Sequence, residues 1–440
     1  MTSQTISLCF ALLGLERNDI VVAVSTEGSV KALLIAVTDA PGPVIACLRR
    51  LTPELLCFFL PASRQACVDS EIHPTLTKLP QRWDSIVTPD ASSFPSSLQV
   101  LADRLPVLLR TWTVAPGELA IDVTCATPAM AAAMALVGLP FAGRIGTSNV
   151  PGQDEICDDR SLDRTITWAY SNPWDRTAEY FGHEAADLFN LGRYAAAAQG
   201  FRRLEHRVSG GLKPLYRALG DLSEGYSLWD RFGYRQAWDK LKTALKSLEL
   251  SAAWGGPSGL QTVLRHVKDN FRFLEQVVMD PQAVKPHLGA DLLAHAKRRV
   301  ERDRNIEVGT RVLLRALEVY AQTQLFTRYH IKSWDVDIDR LPQALKETCR
   351  TCYLSDVDGK YHLPLHAQFR VLAGLGDAMG QAFLANWAAM KSLMDAADHA
   401  ILGGGFTPIK LERFSQLYDM VLKLCQVRDV DLPTFPTLKL

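Results

Sequence analysis

Two hydroxyl side chains, Thr124 and Thr127, follow a predicted buried strand and precede a predicted helix. The first amide groups of a helix carry partial positive charge and neighbouring hydroxyls donate hydrogen bonds, so this arrangement suits a phosphate. The alternative is structural: Thr127 caps its helix and Pro128 occupies the first helical position, which is a common arrangement. The residues alone leave both interpretations open.

Further polar and glycine residues fall at comparable places in the predicted sheet. Ser63 follows the strand at residues 55–60, and the loop at residues 38–43 follows the strand at residues 30–37. In an open parallel sheet, ligands bind outside the carboxyl ends of the strands. The predicted ligand-binding residues are therefore Asp39, Gly42, Ser63, Thr124 and Thr127.

The elements that position these residues alternate between strand and helix. β-branched and apolar runs predict the strands, and the spacing of apolar residues predicts the helices. This alternation predicts an open, doubly wound α/β sheet. Residues 1–29 contain two apolar runs, which we interpret as a strand pair added to the sheet edge. The predicted strands are 30–37, 55–60, 85–87, 119–123, 144–147 and 165–169, and the predicted helices are 44–50, 97–112 and 128–139.

After Asn172 and Pro173 the pattern becomes wholly helical. Two stretches, 185–204 and 226–237, each have the character of a helical hairpin, but two unequal units do not make a solenoid. A basic run at residues 297–304 is most simply a solvated helical surface, and the alternative is a basic strip beside an RNA path. We predict three domains: an α/β domain at 1–173, a helical connecting region at 174–290 and a helical domain at 291–440.

The composition excludes several classes of protein. Lys plus Arg and Asp plus Glu both number 48, so no net field draws the whole molecule to nucleic acid or to an anionic membrane. No uninterrupted apolar run reaches the roughly eighteen residues of a membrane span, and the apolar run at residues 6–15 lacks a basic leader. The nine cysteines are dispersed, which indicates a reducing compartment. We predict a cytoplasmic protein with no membrane partner and no cofactor.

A possible zinc set is formed by Cys349, Cys352, His362 and His366, which have the two-and-two stoichiometry of a zinc site. The spacing between the second cysteine and the first histidine is shorter than in familiar zinc fingers. We therefore prefer the interpretation that these side chains are partly buried and find partners within the fold, and no metal is predicted. An arginine and a histidine at positions 176 and 183 are separated by six residues and could act together on a phosphate ester, but such pairs arise by chance in a chain of this composition.

Several stretches resemble the CARF and HEPN ancillary proteins of type III CRISPR systems. Residues 121–130 (IDVTCATPAM) are similar to the sensor pattern of aspartate, aliphatic, threonine, two glycines, threonine, lysine, any residue and methionine. In the helical half the resemblance rests on three stretches: residues 172–173 (NP), 229–232 (WDRF) and 315–322 (RALEVYAQ). It extends over residues 30–424 and implies a Rossmann-like (CARF) sensor of cyclic oligoadenylates followed by an all-α HEPN-like ribonuclease region, usually in a homodimer.

The sensor motif departs from the family pattern at three positions. Cys125 and Ala126 replace the two glycines, and Pro128 replaces the lysine. Glycines let a phosphate approach the backbone and lysine supplies charge, so both contributions are missing.

The nuclease motif of the family reads arginine, asparagine, any residue, serine, isoleucine, leucine, alanine, histidine and glycine, and it aligns with residues 397–405 (ADHAILGGG). Its arginine would hold the scissile phosphate and its histidine would act on the attacking hydroxyl, but these positions are Ala397 and Gly404. We predict that both lie on one face near the end of a long helix, about two turns apart. No catalytic residue is predicted.

Three functions remain open at this point. The preferred one is a regulatory protein that takes a cyclic oligoadenylate, forms a homodimer and acts on a protein or RNA partner without cutting RNA. The second is a ribonuclease in which His399 acts with an arginine such as Arg413. The third is a ring nuclease in which Thr124, Thr127 and Ser63 position a 2'-hydroxyl for in-line attack on the messenger itself.

Overall fold

The computed structural model describes residues 30–38, 41–149, 167–253, 259–279 and 286–440. The strand pair predicted within residues 1–29 lies outside these ranges. None of the described helices combines the length and the hydrophobicity of a membrane span.

A six-stranded α/β sheet forms the N-terminal part of the chain. Its strands are β1 (Ala32–Ala36), β2 (Leu55–Pro61), β3 (Arg82–Thr88), β4 (Leu119–Asp122), β5 (Ala142–Asn149) and β6 (Thr167–Ser171). The helices between them are α1 (Gly42–Leu51), α2 (Phe94–Thr111) and α3 (Pro128–Gly138). The strand order is β3-β2-β1-β4-β5-β6, with β1 to β5 parallel and β6 antiparallel to β5. The predicted α/β fold is confirmed.

Helices cover both faces of the sheet, which explains the uninterrupted apolar runs in its central strands. Alternate residues of β1 point to opposite faces: Leu33 and Ile35 join the core beneath α1, and Leu34 joins the core beneath α2 and α3. Strands β1 and β4 are buried along their whole length. The sheet is therefore a rigid support for the loops at its carboxyl edge.

The rest of the described chain is helical, as predicted. The helices are α4 (Trp174–Asn190), α5 (Tyr194–Arg207), α6 (Lys213–Trp229), α7 (Tyr234–Ala253), α8 (Leu260–Met279), α9 (Pro286–Glu301), α10 (Ile306–Tyr329), α11 (Gln343–Cys352), α12 (Leu365–Gly374), α13 (Ala378–Ala385), α14 (Trp387–Asp398) and α15 (Leu411–Cys425). The chain forms two compact units, one containing residues up to 179 together with 206–213, and one containing residues 180–205 and 214–440. The division of the helical part at residue 290 stays a prediction.

Helix α10 is the central element of the C-terminal core. It packs against α9, α12, α14 and α15, and its Leu313 and Leu317 are fully buried. The rings of Phe369 and Phe383 stack in the same core with centroids 4.0 Å apart. Stacked aromatic pairs of this kind contribute beyond their buried area.

Two arginines of the basic run at residues 297–304, Arg298 and Arg299, do not belong to the solvated surface that the sequence suggested, whereas Arg304 is exposed. Arg298 is only 8% exposed, Arg299 forms ion pairs with Asp230 and Asp303, and Lys297 pairs with Asp429. A charge is costly to bury unless it is paired, so these arginines are committed to internal partners. At residues 297–299 the alternative of a basic strip for RNA finds no unpaired basic side chain, for the same reason.

The WDRF stretch at residues 229–232 supplies partners for this buried network. The indole Nε1 of Trp229 donates to Asp291 Oδ1 at 3.0 Å, and Asp230 accepts from Arg299. Asp291 is fully buried and also accepts from the hydroxyl of Tyr234 at 2.7 Å. The stretch that carried much of the family resemblance therefore has a structural role, holding α6, α7 and α9 together.

A neutral histidine lies beside the same network. Burial lowers the pKa of His295 to about 3, and Arg298 and Arg299 act in the same direction. Asp230 lies 3.7 Å from the ring and opposes this shift, but burial and two cations outweigh one carboxylate. His295 is consequently uncharged near neutral pH.

The C-terminal segment after α15 lies on the helices of the second unit. Phe435 is 8% exposed, contacts the rings of Tyr226 and Trp229, and has the guanidinium of Arg298 4.0 Å from its ring centroid. The Asn190 side chain bonds both backbone groups of Leu438, donating at 2.9 Å and accepting at 2.8 Å. Side-chain hydrogen bonds and an aromatic anchor thus fix a segment whose regular secondary structure is limited to a 3-10 turn at Asp429–Asp431.

Candidate functional site

Two of the loops at the carboxyl edge of the sheet meet directly. The hydroxyl of Thr38, after β1, donates to the backbone oxygen of Cys125, after β4. Gly42 begins α1, and a side chain at its position would meet no atom within 4 Å. Ser63 lies on an exposed helical turn after β2, at the same edge of the sheet. Asp39 lies outside the described residues.

The hydroxyls of Thr124 and Thr127 both have protein partners. Thr127 accepts from the Met130 amide at 3.2 Å, which makes it the N-cap of α3, and it donates to the Ala91 oxygen. The Thr124 hydroxyl accepts from the Ser148 amide at 2.8 Å and lies 3.1 Å from the Ser148 hydroxyl. These two side chains shape the loop, and their role as ligand donors stays a prediction.

A buried carboxylate supports this loop from below. Asp122 is 1% exposed and ends β4, and its Oδ1 accepts from the Thr124 amide at 3.0 Å. Its Oδ2 accepts from the hydroxyl of Tyr170, and the Cys47 thiol lies 3.6 Å away. Burial raises the pKa values of Tyr170 and Cys47, so both remain protonated donors at neutral pH. Sequence reasoning did not single out Tyr170 or Cys47.

The stretch aligned with the nuclease motif has a different geometry from the one predicted. The pattern predicted one long helix, but a break at Asn386 separates α13 from α14, and α14 ends at Asp398. Gly404 lies after a short 3-10 turn, outside any α-helix, with φ at 101°. Positions 397 and 404 therefore do not share a helical face, and this prediction was wrong. The cause is the chain reversal at residues 399–405, where Gly403 and Gly405 both donate to the oxygen of Ala400.

Ala397 is part of a small hydrophobic core. It is 1% exposed and clusters with Ala400 and Ile409, against which Ile306 and Leu314 also pack. A long charged side chain has no room in this cluster without displacing its neighbours. Position 397, which the sequence resemblance aligns with the family's arginine, is a packing position in this structure.

Two charged residues of α10 hold the loop in place. Arg311 donates to Asp398 Oδ1 at 3.0 Å and to the Ala397 oxygen at 2.7 Å. Glu307 accepts from the amides of Leu402 and Ile409, at 3.2 and 2.8 Å. One helical turn of α10 thus satisfies both ends of the loop that follows α14.

His399 is exposed, and its orientation is fixed by the backbone. Its Nδ1 lies 2.7 Å from the Asp395 oxygen, and because a carbonyl can only accept, Nδ1 carries the proton. The Nε2 atom of neutral His399 is then an acceptor. Arg413, suggested as its partner, is exposed in the first turn of α15, while the arginine that contacts the loop is Arg311.

The four residues considered for zinc have separate surroundings. Cys349 is buried and Cys352 is exposed. His362 pairs with Asp358 at 3.0 Å, and the ring of His366 lies 4.1 Å from that of Trp387. Across the ranges that the structure describes, no group of three or more His, Cys, Asp or Glu side chains is placed to hold a metal ion.

Comparison with known proteins places the two helical regions in one family. A family model described as the Csm6 HEPN domain matches residues 282–428, and one described as the Csm6 6H domain matches residues 178–274. Together these matches span more than half of the chain. The chain belongs to the CARF–HEPN ancillary proteins of type III CRISPR systems. The aligned stretch 397–405 lies inside the HEPN match, whereas positions 176 and 183 lie outside it.

A solved structure supports the same fold. The chain is similar to Enterococcus italicus Csm6 bound to cyclic hexa-2'-fluoro-hexa-dAMP, with a TM-score of 0.57 and 11% sequence identity over 92% of this chain and 96% of that chain. At this identity the similarity shows the fold, including the six-stranded α/β sheet that neither family model covers. A search of curated proteins gave no match.

Proposed function

We propose that this protein is a cytoplasmic accessory protein of antiviral defence whose CARF-type sheet takes a cyclic oligoadenylate and whose HEPN domain has lost ribonuclease chemistry. The observation that carries the proposal is which residues occupy positions 397 and 404, where the family has an arginine and a histidine, and how the structure holds them. Ala397 is buried in a hydrophobic cluster and Gly404 has a left-handed backbone. Ala397 is thus part of the packing of the loop, and Gly404 is part of its backbone conformation.

Loss of the arginine and the histidine removes two different contributions to RNA cleavage. An arginine neutralises charge on the scissile phosphate, and a histidine near its ordinary pKa transfers a proton. Alanine and glycine do neither. Arg311 does not replace the lost cation, because its guanidinium is bound to Asp398 and to the Ala397 oxygen.

The ligand proposal rests on the sheet edge and on the solved relative, which holds a cyclic oligonucleotide. The N-terminus of α1 is open at Gly42, and the loops after β1 and β4 meet beside it. Ring-nuclease action is less favoured, since the hydroxyls of Thr124 and Thr127 already bond protein groups.

A homodimer through the HEPN domain is part of the proposal. The loop after α14 and the start of α15 expose a set of apolar side chains: Ile401 at 52%, Leu402 at 54%, Phe406 at 97% and Leu411 at 43%. Large exposed apolar side chains gathered in one short segment support an interaction site there. Light scattering on the wild type and on Phe406→Asp tests this, and a dimer that persists unchanged in the variant would place the interface elsewhere.

One observation favours a second function, residual RNA cleavage. His399 is exposed and presents Nε2 as an acceptor, which suits a general base. The cation that the described contacts place at this loop, Arg311, is bound to Asp398 and to the Ala397 oxygen, so it does not serve His399 as the partner that stabilises the transition state. RNA cleavage that disappears in His399→Ala would establish this function in place of the proposed one.

The ligand half of the proposal is tested by titrating labelled cyclic tetra- and hexa-adenylate into the purified protein. Gly42→Asp adds a negative charge at an open position near the proposed phosphate site, and we expect affinity to fall by about tenfold or more. Gly210→Asp is the matched control, because Gly210 is equally open but lies far along the chain from the sheet loops. Equal binding by both variants would contradict this location of the ligand site. Chromatography of the cyclic oligoadenylate recovered after incubation tests ring-nuclease action separately, because it detects any opened ring.

A further inference from the structure

The carboxylate of Asp122 bridges two separate elements of the sheet unit. One oxygen accepts from the amide of Thr124 in the loop after β4, and the other accepts from the hydroxyl of Tyr170 in β6. Asp122 is 1% exposed, so water does not compete for these bonds. A displacement of the loop therefore acts directly on β6 through a single side chain.

The register of the sheet makes this bridge possible. Asp122 of β4 pairs with Gly146 of β5, and Gly146 pairs with Tyr170 of β6. A Cβ atom on Gly146 would lie 2.6 Å from the Tyr170 ring, so glycine is required for the ring to cross β5 and reach Asp122. The phenol thus connects two strands that are not neighbours.

Only two residues, Asn172 and Pro173, separate β6 from α4. Asn172 accepts from the Trp174 amide at 3.0 Å and donates to the Arg207 oxygen at 2.7 Å. The Trp174 indole donates to the Leu139 oxygen at 3.0 Å, and the Arg207 guanidinium lies 4.3 Å from its ring centroid. The end of β6 is therefore held to the start of α4 and to the end of α5.

We propose that Tyr170 is a positioning residue that couples the conformation of the loop after β4 to strand β6 and the start of α4. The inference deepens the proposed function, on which it rests for the identity of the ligand. Ligand contact with the loop shifts the Thr124 amide, Asp122 follows it, and Tyr170 carries the shift to the strand that enters the helical region. Coupling of this kind requires an element that responds to both sites.

Cys47 supplies a matched control within the same cluster. Its thiol lies 3.6 Å from Asp122 Oδ2 and 3.5 Å from the Tyr170 hydroxyl, but it belongs to α1 and not to β6. Cys47→Ala disturbs the packing of the cluster and leaves the bond between Tyr170 and Asp122 intact. A merely structural role of the cluster would make Cys47→Ala and Tyr170→Phe equivalent.

Hydrogen exchange measured by mass spectrometry, with and without cyclic tetra- and hexa-adenylate, tests the coupling in the full-length protein. In the wild type, Cys47→Ala and the exposed control Tyr180→Phe, we expect ligand to protect peptides spanning residues 122–127 and 172–190. In Tyr170→Phe we expect affinity within about threefold of wild type and protection at 122–127, but none at 172–190. Wild-type protection at 172–190 in Tyr170→Phe would overturn the inference.

Hydrogen exchange in the ligand-free protein distinguishes failure of the coupling from failure of the proposed ligand binding. Without ligand, amides 172–178 should exchange faster in Tyr170→Phe than in Tyr180→Phe or Cys47→Ala, and unchanged exchange overturns the coupling. Absence of binding to the wild type refutes the ligand and leaves this ligand-free comparison to decide the coupling. If Tyr170→Phe does not fold, Asp122→Asn, which keeps the shape of the side chain, replaces it in the same comparison.

Discussion

Introducing the family's arginine and histidine by Ala397→Arg and Gly404→His should not produce RNA cleavage, because both positions accept these side chains only at a cost in stability. Arginine at position 397 must enter a cluster in which Ala397 is 1% exposed. Overpacking and an unpaired buried charge together cost about 3–5 kcal/mol. The guanidinium of Arg311, bound to the Ala397 oxygen, adds repulsion.

Gly404→His has a different and smaller cost. No atom lies within 4 Å of a Cβ built at Gly404, so the side chain fits, but φ at 101° disfavours any non-glycine residue. The expected cost is about 1–2 kcal/mol of backbone strain. Gly404→Ala should show the same loss of stability, because the strain belongs to the backbone and not to the imidazole.

Urea unfolding of the single and double variants measures these costs, and cleavage of labelled single-stranded RNA with cyclic oligoadenylate measures function. Ala389→Arg is the control for arginine on α14, since Ala389 is exposed on the same helix, and it should change stability by less than about 0.5 kcal/mol. Equal stability of Ala397→Arg and Ala389→Arg would contradict the expected cost of arginine at position 397. A double variant that folds and cleaves RNA would contradict the expected loss of function.

Three further outcomes follow from the described contacts. Glu307→Ala removes the acceptor of two loop amides and should raise hydrogen exchange at residues 400–409 while costing about 1–3 kcal/mol; a control at exposed Glu412 should not. His295 has its pKa lowered to about 3 in the fold, so the unfolded chain takes up its proton first as pH falls below 6.5. Stability from the neutral ring is therefore complete above pH 6.5 and declines below it by at most about 1.4 kcal/mol per pH unit. Urea unfolding at pH 7.5 and 5 should show wild type losing more stability than His295→Gln, and equal losses would contradict the shift. Asn190→Ala should speed digestion of the C-terminal segment by carboxypeptidase, since both bonds to Leu438 are lost, and an unchanged rate would show that the aromatic anchor suffices.

Much of the sheet could be predicted because its central strands are buried on both faces. Runs such as residues 55–60 leave little choice besides a covered parallel strand, and the observed β2 matches that run closely. Because these strands were predicted to be parallel, their carboxyl ends were also predicted to meet at one edge of the sheet. The link from Asp122 to Tyr170 could not be predicted, because it depends on register across three strands and on the missing side chain at Gly146.

The degenerate motif shows where pattern reasoning fails. Apolar residues continue at helical spacing into Ile401 and Leu402, which predicts a longer helix, but both side chains are more than half exposed. The chain reverses instead, because distant groups on α10 satisfy the loop: Glu307 bonds the Leu402 amide from 95 residues away. Likewise, composition cannot reveal that Arg299 turns inward to Asp230, which is 69 residues distant.

The central claim, a HEPN domain without its cutting residues, is tested most directly by RNA cleavage with ligand occupancy verified in the same sample. Purified wild type and His399→Ala are incubated with single-stranded RNA and saturating cyclic tetra- or hexa-adenylate, and cleavage is followed over many hours. We predict no cleavage above the level of His399→Ala. Ligand-dependent cleavage by the wild type that His399→Ala abolishes would contradict the claim.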